Sequence, residues 1–248
     1  MRIIKNIVIP SAFWLLVWQG IAMWVNSDLL LPGPWTVVCT LAQLAGESDF
    51  WQATGFTLLR VFAGLAAGTL LGALIAVLTC ASCWCDRILS PAVKVIRATP
   101  VASFILLVLL WAVTGAVPGI ISALMVLPIV WGNLCKGIRG ADPQLLEMSH
   151  AYRFSRGKRI RLIYLPAAAP YFAAGVETSL GLAWKAGVAA EVLCRPRMAV
   201  GTQVFFARNN LETPSLFAWT LMVIILSFVV EGLLVKLLRK AVGAYADG

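Results

Sequence analysis

The feature that most constrains this chain is a run of 38 residues, from 98 to 135, without a single Asp, Glu, Lys, Arg or His. As one α-helix the run would be about 57 Å long, whereas the hydrocarbon core of a bilayer is about 30 Å thick. Gly and Pro between Thr114 and Gly119 favour a turn near its middle. The run therefore predicts two membrane-crossing helices, near Val101–Val113 and Pro118–Leu134, the first of them extended back toward Pro91.

The composition of the whole chain agrees with a membrane environment. Of its 248 residues, 60% are hydrophobic and only 12% are charged. A water-soluble domain carries about 25% charged residues, so this surface is unsuited to water. A soluble enzyme, a secreted disulfide scaffold and a disordered chain are excluded, and an all-α integral membrane protein is predicted.

Four further segments are apolar enough to be read as spans, which gives about six transmembrane helices. They are Ile7–Val25, Val61–Cys85, Ala168–Leu193 and Leu216–Leu234. The first resembles a signal peptide, but no small-residue cleavage site follows it, so we predict an uncleaved span. Because no internal repeat or low-complexity linker divides the chain, residues 1–248 are predicted to form a single domain.

The distribution of positive charge predicts the orientation. The net charge is +9, with 20 Lys and Arg residues. With the N-terminus inside, 15 of these cations fall in cytoplasmic segments, as the positive-inside rule requires. We therefore predict a multi-pass protein of the cell (inner) membrane with both termini cytoplasmic, whose cations meet lipid rather than nucleic acid.

Two shorter features lie outside the spans or at their ends. Leu31-Pro32-Gly33-Pro34 predicts a rigid turn, followed by a short interfacial helix over Trp35–Ala45. Cys80-Ala-Ser-Cys83-Trp-Cys85 contains one C-x-x-C, without the second pair or the nearby His that a structural zinc site needs. Reduced structural thiols and no metal site are predicted.

The longest cytoplasmic connection, residues 136–166, has the pattern of a helix–turn–helix. Asp142 is a suitable N-cap and Pro143 a suitable first helical residue. Ser155 is positioned to cap a second short helix. From the residues alone, this basic loop is typical of a segment that lies on anionic lipid. An apolar and small-residue face with helical spacing is formed by Leu145, Leu146, Met148, Ser149 and Tyr152.

Two groups of residues in this 136–166 loop resemble a known motif. Glu147-Met148-Ser149 and Ile163-Tyr164-Leu165-Pro166 are similar, in type and spacing, to the EAA loop of binding-protein-dependent ABC importer permeases. That loop has the form E-A-A, three residues, G, nine residues, I-x-L-P. Met148 and Ser149 replace the two alanines, and Arg153 stands where the family usually has Gly. A residue with a Cβ there is expected to affect the turn between the two short helices.

Further segments are similar to the branch of these permeases that serves nitrate, sulfonate, taurine and bicarbonate. The resemblance covers nearly the whole chain, and it is strongest from Arg97 to Gly201. The segments, in order, are Leu31–Pro34, Leu58–Gly64, Arg97–Val101, Gly181–Trp184 and Ala189–Glu191.

The resemblance implies a permease subunit that forms the pathway of an ATP-driven importer. It implies a second permease copy in a homodimer, two cytoplasmic ABC ATPases and an external solute-binding protein. No G-x-x-x-x-G-K-[ST] occurs in this sequence, so ATP and Mg are expected on the ATPase and no cofactor in this chain. The residues implied in coupling to the ATPase are Leu145, Leu146, Glu147, Met148, Ser149, Tyr152 and Arg153.

Charged residues inside predicted spans are candidates for the solute pathway, because they are expensive in lipid. Glu177 and Lys185 are eight residues apart, which separates them by about 80° around a helix and about 12 Å along it. They are therefore not a direct pair. Lys185 would attract an anion, although an interhelical ion pair or a cation reaching the interface is the alternative. Glu191 and Glu231 are further candidates.

The solute itself stays open. The resemblance and Lys185 favour a small anion such as nitrate, a sulfonate or taurine, whereas a thiamine precursor or another organic solute is the alternative. In the second span, Gly64, Gly68 and Gly72 form a G-x-x-x-G stripe that predicts close helix packing rather than solute contact.

Two other classes of protein fit the sequence less well. A stand-alone secondary carrier or channel would not explain the presence of the 136–166 loop. A lipid-modifying membrane enzyme needs clustered acid–base or metal-binding groups at a membrane face. The sequence offers only Glu147 and His150 for that role, so both classes are secondary alternatives.

Overall fold

In a computed structural model, residues 2–246 are described, with their side chains over residues 9–236, and this part of the chain is helical. The helices α1 to α6 are Arg2–Val25, Pro34–Ala45, Ser48–Ala81, Cys83–Ala98, Val101–Leu109 and Val117–Arg139. The helices α7 to α11 are Pro143–Ala151, Arg156–Arg159, Leu165–Cys194, Val200–Asn209 and Thr213–Ala246. A π-helical segment, Ile160–Tyr164, joins α8 to α9.

The body of the fold is formed by α3, α6 and α9, and glycines bring these helices together. A Cβ added to Gly64 would overlap the carbonyl oxygen of Gly119, and one added to Gly68 would lie 2.5 Å from that of Ala123. Such distances require the bare backbone of glycine. The prediction that the glycine stripe of α3 serves close packing is confirmed.

Apolar side chains fill the space between these three helices. Val61 and Leu65 of α3 meet Val126 of α6 and Leu180 and Trp184 of α9, and all five are at least 95% buried. The 136–166 loop leaves one end of this body, here termed the loop end. The C-terminus of α9 lies at the opposite end.

The expected third span is not one straight helix. α4 and α5 are separate helices that meet at an angle of 105°. Thr99 is extended at the break, with φ −80° and ψ 133°, because the ring of Pro100 disfavours a helical conformation in the residue before it. α5 then ends at Leu109, and the turn before α6 occupies the Gly- and Pro-containing stretch that the sequence indicated.

Of the described helices, α3, α6 and Thr213–Lys236 of α11 are long and apolar enough to cross a membrane. The bent α4–α5 pair is a fourth only if it is counted as one span. α9 has 30 residues but is not in that set. Residues 9–25 of α1 form a shorter apolar helix, as does α2. The predicted count of six spans and the single domain of 1–248 remain predictions.

Candidate functional site

The first helix of the 136–166 loop, α7, begins as its sequence predicts. The side chain of Asp142 accepts a hydrogen bond of 2.8 Å from the backbone N–H of Gln144, and Pro143 is the first helical residue. The carboxylate thus satisfies one of the backbone donors that every helix N-terminus leaves free. The position of α7 along the chain is therefore fixed by local sequence.

α7 ends in a Schellman turn built around Arg153. The N–H of Phe154 donates to the carbonyl of Ser149 at 2.8 Å, and the N–H of Arg153 donates to that of His150 at 3.0 Å. This pair of bonds requires a left-handed residue after the helix, and Arg153 has φ 53°. The residue that replaces the expected glycine therefore occupies the conformation for which glycine is suited.

The fold buries part of the predicted apolar face of α7 and leaves the rest exposed. Leu145, Met148 and Tyr152 lie on one side of the helix and are 43%, 41% and 75% exposed. Ser149 is fully buried, and its hydroxyl donates to the carbonyl of Leu146 at 2.7 Å. Among the described helices, α7 has no extensive contact with any other. Three large apolar side chains are thus left uncovered on a projecting helix.

Polar and basic side chains surround this face. Glu147, His150 and Arg153 are exposed. Ser155 caps α8 through its hydroxyl, which accepts from the N–H of Lys158 at 3.4 Å, as predicted. The second short helix does not stop before α9, however, since the chain continues through the π-helical segment. Pro166 has no N–H for the regular helical bond, and the π-helical segment ends two residues before it.

An ion pair connects α6 with α4 at the loop end. Nη2 of Arg139, the last residue of α6, lies 3.0 Å from Oδ2 of Asp86. The other carboxylate oxygen of Asp86 accepts a short hydrogen bond from Ser90. The start of the 136–166 loop is thereby attached to the N-terminal turn of α4.

The two pathway candidates lie on the uncovered side of α9. Glu177 and Lys185 are exposed, and the two turns of helix between them keep them apart, as expected. Small or apolar exposed residues continue this side of the helix. These are Ala174, Thr178, Leu182 and Ala189.

Glu231 of α11 packs against α9. Its Oε1 accepts from the hydroxyl of Ser227 at 3.2 Å and would lie 2.8 Å from a Cβ placed on Gly181. The absence of a side chain at Gly181 thus leaves room for the carboxylate. Glu231 is in this way part of a helix contact.

The structure also reveals a polar cluster that sequence reasoning did not assemble, made of Thr57, Arg60 and Glu191. Glu191 is fully buried, and its carboxylate oxygens lie 2.9 and 3.0 Å from the Thr57 hydroxyl. Arg60 approaches Oε1 of Glu191 with Nη1 at 3.3 Å. The available signal was the pair of opposite charges near the ends of two apolar segments, but their 131-residue separation gave no reason to pair them.

The cysteines are all free thiols. Over the residues that the structure describes, no three His, Cys, Asp or Glu side chains are grouped to hold a metal ion. Cys135 is buried at the loop end, where its Sγ lies 3.5 Å from the Thr79 hydroxyl.

The fold and the site together define a multi-pass helical membrane protein with a helical loop projecting from one end. A family model described as "binding-protein-dependent transport system inner membrane component" matches residues 68–242, which is more than two thirds of the chain. The chain belongs to this family. It is a permease of an ABC importer, a transport subunit and not an enzyme.

Individual relatives agree with this assignment. A Bacillus subtilis protein described as an aliphatic sulfonates transport permease, SsuC, is 30% identical over 86% of this chain and 78% of its own length. The taurine transport system permease TauC of Escherichia coli is 27% identical over 89% and 82%. The bicarbonate transport system permease CmpB of Synechococcus elongatus is 25% identical over 61% and 55%.

The fold itself occurs in a solved structure. A crystal structure of an amino acid ABC transporter with histidines aligns with a TM-score of 0.62. It covers 76% of this chain and 90% of that chain at 19% identity. The helical arrangement is therefore shared with a structurally characterised ABC transporter.

Proposed function

We propose that this chain forms the membrane pathway of an importer for a small anion and receives its driving force from a separate ATPase bound at the 136–166 loop. The observation that carries the proposal is the uncovered face of α7, with Leu145, Met148 and Tyr152 exposed. Large apolar side chains clustered on a projecting polar helix are typical of a protein-binding surface. ATP and Mg are bound by the partner.

Glu147 and Arg153 belong to the same coupling surface. They are exposed beside the apolar face and offer charges for polar contacts at its rim. Ser149 and Leu146 contribute differently, since Ser149 is buried and Leu146 is half-buried. Closure of the ATPases would then move α7 and the helices attached to it as rigid bodies.

A second copy of this chain completes the pathway. The exposed side of α9 carries Lys185, and a cation that faces lipid within a membrane span is energetically costly. Two copies that oppose these sides would enclose a water-filled path lined by Lys185 and Glu177. The chain is thus a homodimer subunit in the cell membrane, in contact with lipid, with the 136–166 loop and both termini in the cytoplasm.

The solute is a small anion such as nitrate or a sulfonate, or the zwitterion taurine with its anionic sulfonate group, and it is delivered by an external binding protein. Lys185 supports this choice, because a lysine in the pathway favours negative charge. The names of three relatives, which refer to aliphatic sulfonates, taurine and bicarbonate, support it as well.

Binding measurements on the associated solute-binding protein test the solute class directly. Titration with taurine, an alkanesulfonate, nitrate and bicarbonate should give submillimolar affinity for at least one of them. Tight binding of a cationic or uncharged solute, with none of these four bound, would contradict the anion assignment. It would leave the role as a permease unaffected.

A further inference from the structure

We propose that Thr57, Arg60 and Glu191 are positioning residues that fasten α10 to α3 and α9, so that α9 and α10 move as one body during transport. This inference rests on the proposed function, because it relates the movements of two partners named there, the external binding protein and the ATPase. The cluster lies at the end of α9 opposite the 136–166 loop.

Both charged residues hold the turn between α9 and α10 from different helices. Arg60, on α3, donates from Nη1 to the carbonyl of Met198 at 3.0 Å and from Nη2 to that of Arg197 at 2.9 Å. Glu191, on α9, accepts from the N–H of Gly201 at 3.1 Å. Since the guanidinium and the carboxylate also contact each other, one group cannot shift without disturbing the others.

Thr57 completes the connection. Its hydroxyl donates to Glu191 and accepts from the N–H of Val200 at 3.0 Å. The carboxylate and the hydroxyl thus satisfy backbone donors of the first two residues of α10, which would otherwise be buried without partners. Removing either side chain leaves those donors unsatisfied inside the protein.

The turn itself is strained, which implies that its surroundings impose its shape. Arg195 and Met198 have φ of 51° and 50°, in the left-handed region that non-glycine residues avoid. Such conformations persist only where neighbouring contacts over-determine them, and they mark segments whose exact position matters. The contacts on this turn include those from Arg60, together with a bond of 2.7 Å from the Thr202 hydroxyl to the carbonyl of Pro196.

α10 and α9 are also in backbone contact. A Cβ on Gly201 would lie 2.5 Å from Cβ of Glu191 and 2.7 Å from the carbonyl oxygen of Val188. From this contact α9 runs for 30 residues, about 45 Å, and continues through the π-helical segment into the 136–166 loop. A displacement of α10 would therefore reach the loop through one uninterrupted stretch of helix.

The test uses the complete transporter in vesicles, with and without its binding protein. The binding protein is added as purified, with its solute bound. Arg60→Gln removes the charge and the reach of the guanidinium, whereas Arg60→Lys keeps the charge. Arg208→Gln removes an exposed cation of α10 outside the cluster and is the matched control. ATP hydrolysis is measured together with hydrogen exchange of the 195–209 amides.

We expect Arg60→Gln to leave hydrolysis without binding protein within twofold of wild type. Stimulation by the binding protein should fall at least fivefold, and exchange over 195–209 should rise at least tenfold. Arg60→Lys should restore part of the stimulation and part of the protection from exchange, and Arg208→Gln should behave as wild type. Thr57→Val, a substitution of similar shape, should give the same pattern if Arg60→Gln does not assemble.

Normal stimulation or unchanged exchange in both Arg60→Gln and Thr57→Val would overturn the proposal. A parallel loss of hydrolysis with and without binding protein would also overturn it, because it would indicate a role in general stability alone. If the binding protein does not stimulate ATP hydrolysis by the wild-type transporter, the proposed function fails. The positioning role is then decided by the exchange measurement alone.

Discussion

At the scale of single residues, the turn after α7 makes a prediction about stability. Arg153 adopts φ 53° at the position after the helix where glycine is preferred. A left-handed conformation costs a non-glycine residue about 1–2 kcal/mol. Arg153→Gly should therefore raise the thermal unfolding midpoint by about 2–8 °C. Arg156→Gly, on the neighbouring helix, is the control and should not raise it; equal gains in both variants would contradict this explanation.

A second residue-scale prediction separates coupling from folding at Glu147. Its side chain is exposed, and among the described residues it has no hydrogen bond or ion pair, so its removal should change stability by no more than about 0.5 kcal/mol. Glu147→Ala should insert and dimerise normally, yet ATP-driven uptake in vesicles should fall at least tenfold. Gln144→Ala, also on α7, serves as the comparison. Near-normal uptake by Glu147→Ala would remove the coupling role.

Residue-scale features were predictable where a short-range rule applied. Asp142 and Ser155 were identified as caps because the groups they satisfy lie two or three residues away. The Thr57–Arg60–Glu191 cluster was not predictable in the same way. It depends on how α3, α9 and the turn before α10 meet in space, which no local pattern encodes.

At the scale of helices, the glycine stripe of α3 gives a prediction with a built-in control. A Cβ on Gly68 would press against the backbone of Ala123, whereas Gly55, in the same helix, has nothing within 4 Å of its added Cβ. Gly68→Ala should destabilise the protein by about 1–3 kcal/mol through overpacking. Gly55→Ala should be neutral or stabilise it by about 0.5–1 kcal/mol. Thermal unfolding in detergent measures both, and equal effects would show that α3 and α6 are not held this closely.

Helix positions were predictable where apolar runs were long and ended in Gly or Pro. α6 and α9 begin and end within about five residues of the predicted spans, whereas α11 begins three residues before its predicted start and continues well beyond Leu234, to Ala246. α3 extends further than predicted, because its first turns carry polar residues that an apolar-run criterion rejects. α4 and α5 were predicted as one span rather than as two helices, and α10 was not predicted. The break at Pro100 follows from a local effect of proline. The turn before α10 is held by Arg60 and Glu191, which lie on other helices.

At the scale of the whole molecule, the exposed side of α9 predicts the interface between two copies. With the native cysteines replaced, Ala189→Cys, one turn beyond Lys185, should form disulfide-linked or maleimide-linked dimers in membranes. Leu70→Cys, 71% exposed on α3, should not. Cross-links at Leu70→Cys and none at Ala189→Cys would move the interface to another side of the protein.

The central claim, that this chain is a permease driven by a separate ATPase, is tested most directly by reconstitution. Vesicles would hold this chain alone, this chain with its ATPase, or this chain with an ATPase unable to hydrolyse ATP, each with the binding protein outside. Uptake of the solute held by that binding protein should occur only with the active ATPase and ATP. Equal uptake by this chain alone, without ATPase or ATP, would contradict the account.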